Sequence, residues 1–306
     1  MTINKIIHKL SGGAFNLYLT RGSAILLQSF TLFLIGGVIS IEDFGQFRFL
    51  VGATNVGSVL LGLGGAQILQ REMPVIDARQ NGRGVLRLVT IALLYLSVFT
   101  LFMLGLLAVV TSNMFNLEIF SIQNSGLLIL AMGYSLGLLN IGISVVRVSH
   151  SATLSMLLKD TIPYLLFLLG FFICYQQNIL SANILILVFS AAVLICFAVC
   201  TVVAMSYLLV RTGVYDKENI KIHHFIVFWW SSIIGSLSSQ VDILLAKLFL
   251  GETDLGIYSL LKRVTNLVSL PQIIANWSIN VKVARDFALN DNDSLQNLAN
   301  EGLKIS

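Results

Sequence analysis

Long apolar runs without strict alternation dominate the chain, and short polar gaps separate them. A helix crossing a ~30 Å hydrocarbon core needs about 20 such residues. Only helices or closed barrels satisfy their backbone groups in lipid, and runs this long without period-two alternation exclude the barrel. Eight runs qualify, at residues 13–39, 47–69, 88–110, 124–146, 161–177, 184–210, 225–250 and 257–280. The fifth is short in its apolar part. It can begin earlier, near Ala152, with Pro163 in its first turns, where a missing N–H is tolerated. The first run is longer than a signal-peptide core and no small-x-small site closes it, so it is read as an uncleaved span. The predicted fold class is all-α, a polytopic bundle of transmembrane helices.

Composition strengthens this reading. Of 306 residues, 56% are hydrophobic and only 11% charged, against roughly a quarter charged in soluble domains. Mean hydropathy is +0.87. A formal charge of +4 could attract nucleic acid if the chain were soluble, but here the basic residues sit in gaps between apolar runs and act as topology signals. No nucleic-acid partner is expected. Fourteen Lys and Arg residues fall in the gaps, all on the N-terminal side. The opposite gaps carry Glu42, Asp43, Glu118, Glu252 and Asp254 and no Lys or Arg. That asymmetry supports the span count and an inside N-terminus.

Cofactor chemistry finds little support. Cys174, Cys196 and Cys200 lie inside apolar runs, and no His or carboxylate accompanies the Cys196/Cys200 pair to make a metal site. His8, His150, His223 and His224 occupy inner gaps without metal spacing. No phosphate-binding glycine loop occurs. The chain is therefore expected to hold no metal or cofactor and to be no enzyme.

An internal repeat decides the architecture. Asp43-Phe-Gly-Gln-Phe47 matches Asp254-Leu-Gly-Ile-Tyr258, and the same offset aligns Leu50, Thr54, Asn55 and Ser58 with Leu261, Thr265, Asn266 and Ser269. Both copies run from an outer loop into a descending helix, six spans apart. The repeat is thus parallel, about an axis along the membrane normal. One complete six-helix lobe is assigned to residues 1–221. Residues 222–306 supply the first two helices of a second, parallel-repeat lobe and a polar tail.

A first span carrying an arginine, the loop Ile41-Glu-Asp-Phe-Gly-Gln-Phe47 and a basic loop after the second span resemble the polysaccharide flippase family (Wzx-like, O-antigen and related exporters). Trp229 to Lys247 followed by Gly251-Glu-Thr-Asp-Leu-Gly-Ile-Tyr258 resembles the start of that family's second lobe. The wider group is the multidrug, oligosaccharidyl-lipid and polysaccharide exporter superfamily. The resemblance implies a transporter in a bacterial inner membrane, N-terminus cytoplasmic, flipping a polyprenyl-pyrophosphate-linked oligosaccharide for cell-surface polysaccharide biosynthesis. The partners implied are that substrate, membrane lipids and other polysaccharide-assembly membrane proteins. The family usually has about twelve or more spans, so this chain departs from it.

Charges within the spans are the candidate site. A basic side chain at bilayer centre costs about 2.5–3.5 kcal/mol on insertion scales, so it should face a wet cavity or a partner. Arg21, Arg48, Lys247, Lys262 and Arg263 fall inside the runs, with one acid, Asp242. The cavity cations expected are Arg21, Arg48, Lys262 and Arg263. For Arg21 the resemblance implies contact with the pyrophosphate, and a guanidinium fork suits phosphate oxygens. Lys262 and Arg263 are adjacent, hence ~100° apart on a helix, so only one should point inward; Arg48 could instead snorkel to the outer surface. Asp242 and Lys247, five residues apart, read either as an ion- or proton-coupling carboxylate with its neighbour or as a self-neutralising pair. Pro271 should kink the eighth span, and Gly133-Tyr-Ser-Leu-Gly137 is a small-residue packing face.

Basic residues outnumber acids in the runs, which favours an anionic substrate over a MATE-like drug or cation exporter. A membrane polysaccharide polymerase would need a long outer loop with catalytic groups, and none is evident. A non-transporting truncated remnant is the remaining alternative, because the second lobe supplies only two helices.

Overall fold

Helix follows helix throughout the computed structural model, which describes residues 14–78, 82–112, 122–210 and 222–265, with Val283, Asp286, Ser294 and Gln296 as single positions. The helices are α1 (Ala14–Val38), α2 (Ile41–Gly62), α3 (Gly65–Ala78), α4 (Gly82–Ser112) and α5 (Ile122–Ser149). They continue as α6 (Ala152–Gln176), α7 (Ala182–Val210), α8 (Ile222–Phe249) and α9 (Glu252–Thr265). No strand occurs among the described residues. Six of the helices are individually long and apolar enough to cross a membrane, and α2 with α3, bent by 52°, makes a seventh candidate. Residues 266–280 of the expected eighth span, with Pro271, lie outside the described residues.

α5 is the axis of the first lobe. Its glycines let neighbours come close: Gly133 faces Leu61 of α2, Gly137 faces Leu96 of α4, and Gly142 faces Phe197 and Cys200 of α7. This is the small-residue packing expected between helices that gain nothing from a hydrophobic drive in lipid. Cys196 and Cys200 are fully buried in that interface. One core joins α1, α2, α5, α6 and α7. In it Phe47 stacks on Phe167 with ring centroids 5.8 Å apart, and Phe189 meets Phe167 edge-on at 5.2 Å. A second core lies between α3, α4 and α5 around Ile68, Leu69, Met73, Leu88 and Leu96. The outward faces are apolar too, as with Leu101, Phe102, Val202 and Phe249, which suits hydrocarbon rather than water.

Helix boundaries depart from the apolar runs at several places, and at α2 and α6 the local reason is visible. α2 starts at Ile41, not 47, because Ser40 caps it: the Ser40 hydroxyl accepts from the Asp43 N–H at 3.1 Å. Asp43 and Asp254, the acids of the repeat, thus sit in the first turns of α2 and α9, where the helix dipole favours negative charge. α2 also does not run on to 69. Leu63 and Gly64 take left-handed conformations (φ 44° and 74°) and turn the chain into α3. α6 starts at Ala152, the earlier start that the sequence also offered, behind a Ser151 cap that accepts from Leu154 N–H at 3.1 Å. Pro163 therefore falls mid-helix rather than in a first turn. It is accommodated by a π turn over Leu157–Thr161, where the Ile162 N–H reaches back to the Leu157 carbonyl. The gap between α5 and α6 shrinks to two residues, so Arg147 and Lys159 lie inside helices and not in a loop.

The two matched segments meet in a reciprocal contact. A Cβ on Gly45 would overlap the Glu252 carbonyl oxygen and lie 3.2 Å from Gly256 N; one on Gly256 would lie 2.8 Å from the Ile41 carbonyl oxygen. Positions 45 and 256, and 41 and 252, are equivalent under the repeat. The two copies therefore meet backbone to backbone around a local twofold, and only glycine fits at the crossing. Gly45→Leu should wedge α2 from α9 and lower stability by about 1–3 kcal/mol, the usual cost of overpacking. Gly235→Leu, where nothing lies within 4 Å of the added carbon, should change little. Thermal unfolding of both variants in detergent checks this.

Candidate functional site

Polar side chains in an apolar bundle have to find one another. The N-terminal-side halves of α1, α5 and α6 show how. Arg21 forms an ion pair with Asp160, 139 residues away, both side chains largely buried. The Gln28 amide, two turns further along α1, donates to the Asp160 backbone carbonyl at 3.0 Å. These contacts staple α1 to the π turn of α6. Such turns often coincide with functional positions, because they break the regular presentation of side chains.

A second strand of polar contacts crosses from α5 to α3. Arg147 donates to Gln70 Oε1 at 2.9 Å, and Gln70 Nε2 donates to the Ser144 hydroxyl at 3.1 Å. The Gln70 amide is thereby fixed in orientation. Lys159 is half-buried and within electrostatic reach of Asp160, Arg21 and Arg147. It lines a cavity of about 170 Å³ beneath the α2–α3 bend, together with Gln67, Gln70, Asn140, Ser58 and the glycines Gly62 and Gly64. Counting 1.5 Å per residue from the helix ends, Arg21, Lys159 and Asn140 all lie roughly 10–13 Å inside the N-terminal-side end of the bundle. The bend is also held from α8: Trp229 donates its indole N–H to the Leu60 carbonyl at 3.1 Å. Leu60 is among the last carbonyls of α2, which a finished helix leaves without intrahelical donors. Arg71 of α3 lies over the Phe228 ring, 5.1 Å from its centroid.

The remaining candidates gather elsewhere. Lys262 of α9 turns to α8, bonding Asp242 at 2.5 Å and the Ser239 carbonyl at 2.7 Å, while Tyr258 donates to the other Asp242 oxygen at 2.7 Å. Asp242 and Lys247 do not pair with each other. Lys247 instead binds Glu252 at 2.7 Å and sits 5.9 Å from the Phe49 ring centroid. Lys247 and Asp242 are a turn and a half apart on one helix, so they point differently, and each reaches α9 or its first turn. Because α9 starts at Glu252, Lys262 is ten residues into it, ~15 Å along the axis, deeper than a start at 257 implies. Arg48 is half-buried two turns into α2. The Arg263 side chain lies outside the described residues. Arg21 and Lys262 are thus each engaged by a carboxylate, on α6 and α8 respectively, and none of Arg21, Arg48 and Lys262 lines the cavity beneath the α2–α3 bend. Sequence reasoning placed Lys159 and Arg147 in a loop and missed Gln70. The available signals were the Gly62-Leu-Gly-Gly65 run and the prolines at 74 and 163, four residues after Gln70 and Lys159, which each remove one helical N–H donor.

No protein-family model and no curated protein matches the sequence. Solved structures do. The MATE multidrug transporter DinF-BH, solved as a complex, is 16% identical with a TM-score of 0.65, over 99% of this chain and 70% of that one. A MOP superfamily transporter from Pyrococcus furiosus, described as having a binding pocket of reverse polarity that suggests a different function, is 17% identical with a TM-score of 0.60, over 95% and 68%. A mutant of the Vibrio cholerae MATE transporter VcmN is 16% identical with a TM-score of 0.59, over 93% and 67%. The chain therefore shares the helical fold of these membrane transporters.

Breaking the Arg21–Asp160 pair has a defined consequence. Removing one partner of a buried pair typically costs about 3–5 kcal/mol, because the other charge is left unanswered. Arg21→Ala should lower detergent stability strongly. Arg21→Ala combined with Asp160→Asn should recover much of the loss, and a double-mutant cycle on apparent melting temperature reads the coupling directly.

Proposed function

We propose that this chain works as a membrane transporter for an amphiphile with an anionic head group, and that the substrate class is a polyprenyl-linked oligosaccharide. The site is a bacterial inner membrane and the N-terminus faces the cytoplasm. The fold supports a transporter. The observation that carries the choice of substrate is the charge of the N-terminal-side cluster, where, among the described residues, Arg21, Arg147 and Lys159 lie near the carboxylate of Asp160. In a low-dielectric surrounding such a cluster attracts anions and repels cations. The head group would enter the polar region between the helices while the prenyl tail stays in lipid against the exposed apolar faces of α4 and α7. Arg48 and Arg263 belong to this proposal as flanking cations, and Asp242 with Lys262 as the candidate coupling pair between α8 and α9.

A second reading, export of a cationic drug, has its own support. MATE multidrug transporters are among the structural neighbours, and two of the expected cavity cations, Arg21 and Lys262, are already neutralised by carboxylates. The Pyrococcus transporter is described as having a pocket of reverse polarity on this same fold, so fold alone does not choose the substrate's sign.

Transport in proteoliposomes separates the two. A fluorescent prenyl-diphosphate oligosaccharide should move across the bilayer with the wild-type chain and not with empty vesicles, whereas a cationic dye such as rhodamine should not be moved. Dye export without movement of the anionic lipid would replace the first reading by the second.

A further inference from the structure

Between α4 and α5 lies a second cavity, of about 480 Å³, that shares no residue with the one beneath the α2–α3 bend. Two close contacts bracket it. At one end a Cβ on Gly137 would lie 2.7 Å from Leu96, and at the other a Cβ on Gly126 would lie 3.1 Å from Leu107. Between them the short side chain of Ala131 takes up little of the space, and the exposed Leu101, Leu127 and Ala131 open it sideways toward hydrocarbon. From Gly126 to Gly137 is ~16 Å along α5 at 1.5 Å per residue.

No charged side chain is among the described residues of the wall, but three hydroxyls are, those of Ser97, Thr100 and Tyr134. Their protons are already committed. Ser97 donates to the Leu93 carbonyl at 2.9 Å and Thr100 to the Leu96 carbonyl at 2.7 Å. With its own proton given away, the Ser97 oxygen accepts from the Tyr134 hydroxyl at 3.2 Å. A hydroxyl has one proton and two lone pairs, so the wall presents acceptors and no donor. In hydrocarbon, polar capacity of that kind is met only by a donor carried in on a ligand.

We propose that this cavity binds an uncharged, compact ring alcohol taken up from the membrane, its hydroxyl donating to the Ser97–Tyr134 pair. Size sets the shape of the ligand. An apolar cavity of about 150 Å³ takes one benzene, so 480 Å³ holds roughly three times as much, about eighteen carbons. An extended chain advances about 1.2 Å per bond, and eighteen carbons in line would need about 20 Å, more than the bracketed length. An extended acyl chain is therefore excluded, and a fused-ring body fits. A wall without a cation gives no hold on a phosphate, and one without a carboxylate gives none on a cationic drug. The site is thus separate from either transported substrate considered above, and it stands whichever of those readings holds.

The test uses the full chain in phosphatidylcholine nanodiscs with three matched probes: 1-pyrenemethanol, its methyl ether, and 1-pyrenemethylammonium. Energy transfer from tryptophan to pyrene reports binding, because Trp229 packs against Phe99, beside Thr100, with ring centroids 6.2 Å apart. Protein-free discs correct for partition into the bilayer. The alcohol should bind about fivefold tighter than the ether, the effect of one net hydrogen bond, and the ammonium more weakly than the alcohol. Tyr134→Phe with Ser97→Ala should bring the alcohol to the ether's affinity. Should that double variant fail to fold, Tyr134→Phe alone should cut the preference to about twofold or less. Ala131→Phe, which fills the cavity from its lipid-facing side, should abolish binding of alcohol and ether alike. Equal binding of alcohol and ether by the wild-type chain overturns the proposal, as does tightest binding of the ammonium or unchanged binding in Ala131→Phe.

Discussion

Hydrocarbon offers no water to answer a polar group, so every charge and every free backbone group in this bundle has to be met by the protein or by a wet cavity. That constraint explains which helices touch. Arg21 and Asp160 bind α1 to α6; Asp242, Tyr258 and Lys262 bind α8 to α9; Trp229 meets a terminal carbonyl of α2 from α8. Each is a polar contact between elements whose remaining surfaces are apolar and could otherwise slide. Removing any one would leave its partner facing lipid. Packing of small residues along α5 then sets how closely the helices can approach.

The same constraint separates two kinds of polar cluster. The α8–α9 cluster is balanced, one carboxylate against one ammonium, with a tyrosine filling the second oxygen. The N-terminal-side cluster is richer in cations: among the described residues Arg21, Arg147 and Lys159 lie near Asp160, beside a cavity lined by Gln67, Gln70 and Asn140. Balanced clusters hold helices together. A cation-rich one adjoining a cavity, beside a helix that breaks at Leu63–Gly64 and another with a π turn, is the arrangement in which transporters place ligands. The reciprocal contact at Gly45 and Gly256 fixes the first turns of α2 and α9 against each other on the opposite side of the bundle.

Hydropathy made most of this architecture legible. Residues 13–39, 88–110, 124–146, 184–210 and 225–250 correspond to α1, α4, α5, α7 and α8, because a run of twenty apolar residues has few other uses. The likeness of Asp43-Phe-Gly to Asp254-Leu-Gly pointed to two helix starts that meet, since glycine at the crossing and an acid in the first turn are both local requirements. Partnerships were not readable. Arg21 looked unanswered because Asp160 is 139 positions away, and Asp242 looked paired with Lys247 because five residues separate them, whereas the helix turns that neighbour away and brings Lys262 in. Lys159-Asp160 resembled a loop, since two adjacent charges ahead of a proline usually mark one. Here Arg21 neutralises the acid, and a π turn accommodates the proline.

The central claim is that the region around Lys159 is a wet vestibule reached from the N-terminal side. Labelling of introduced cysteines tests it most directly, in a chain whose native Cys174, Cys196 and Cys200, all buried, are replaced. Asn140→Cys and Gln67→Cys should react with a membrane-impermeant thiol reagent added to the N-terminal side of sealed vesicles, at rates near those of a cysteine at His150, and not with reagent added to the opposite side. Silence from both sides would mean a dry bundle, and labelling from the opposite side alone would invert the vestibule; either contradicts the account.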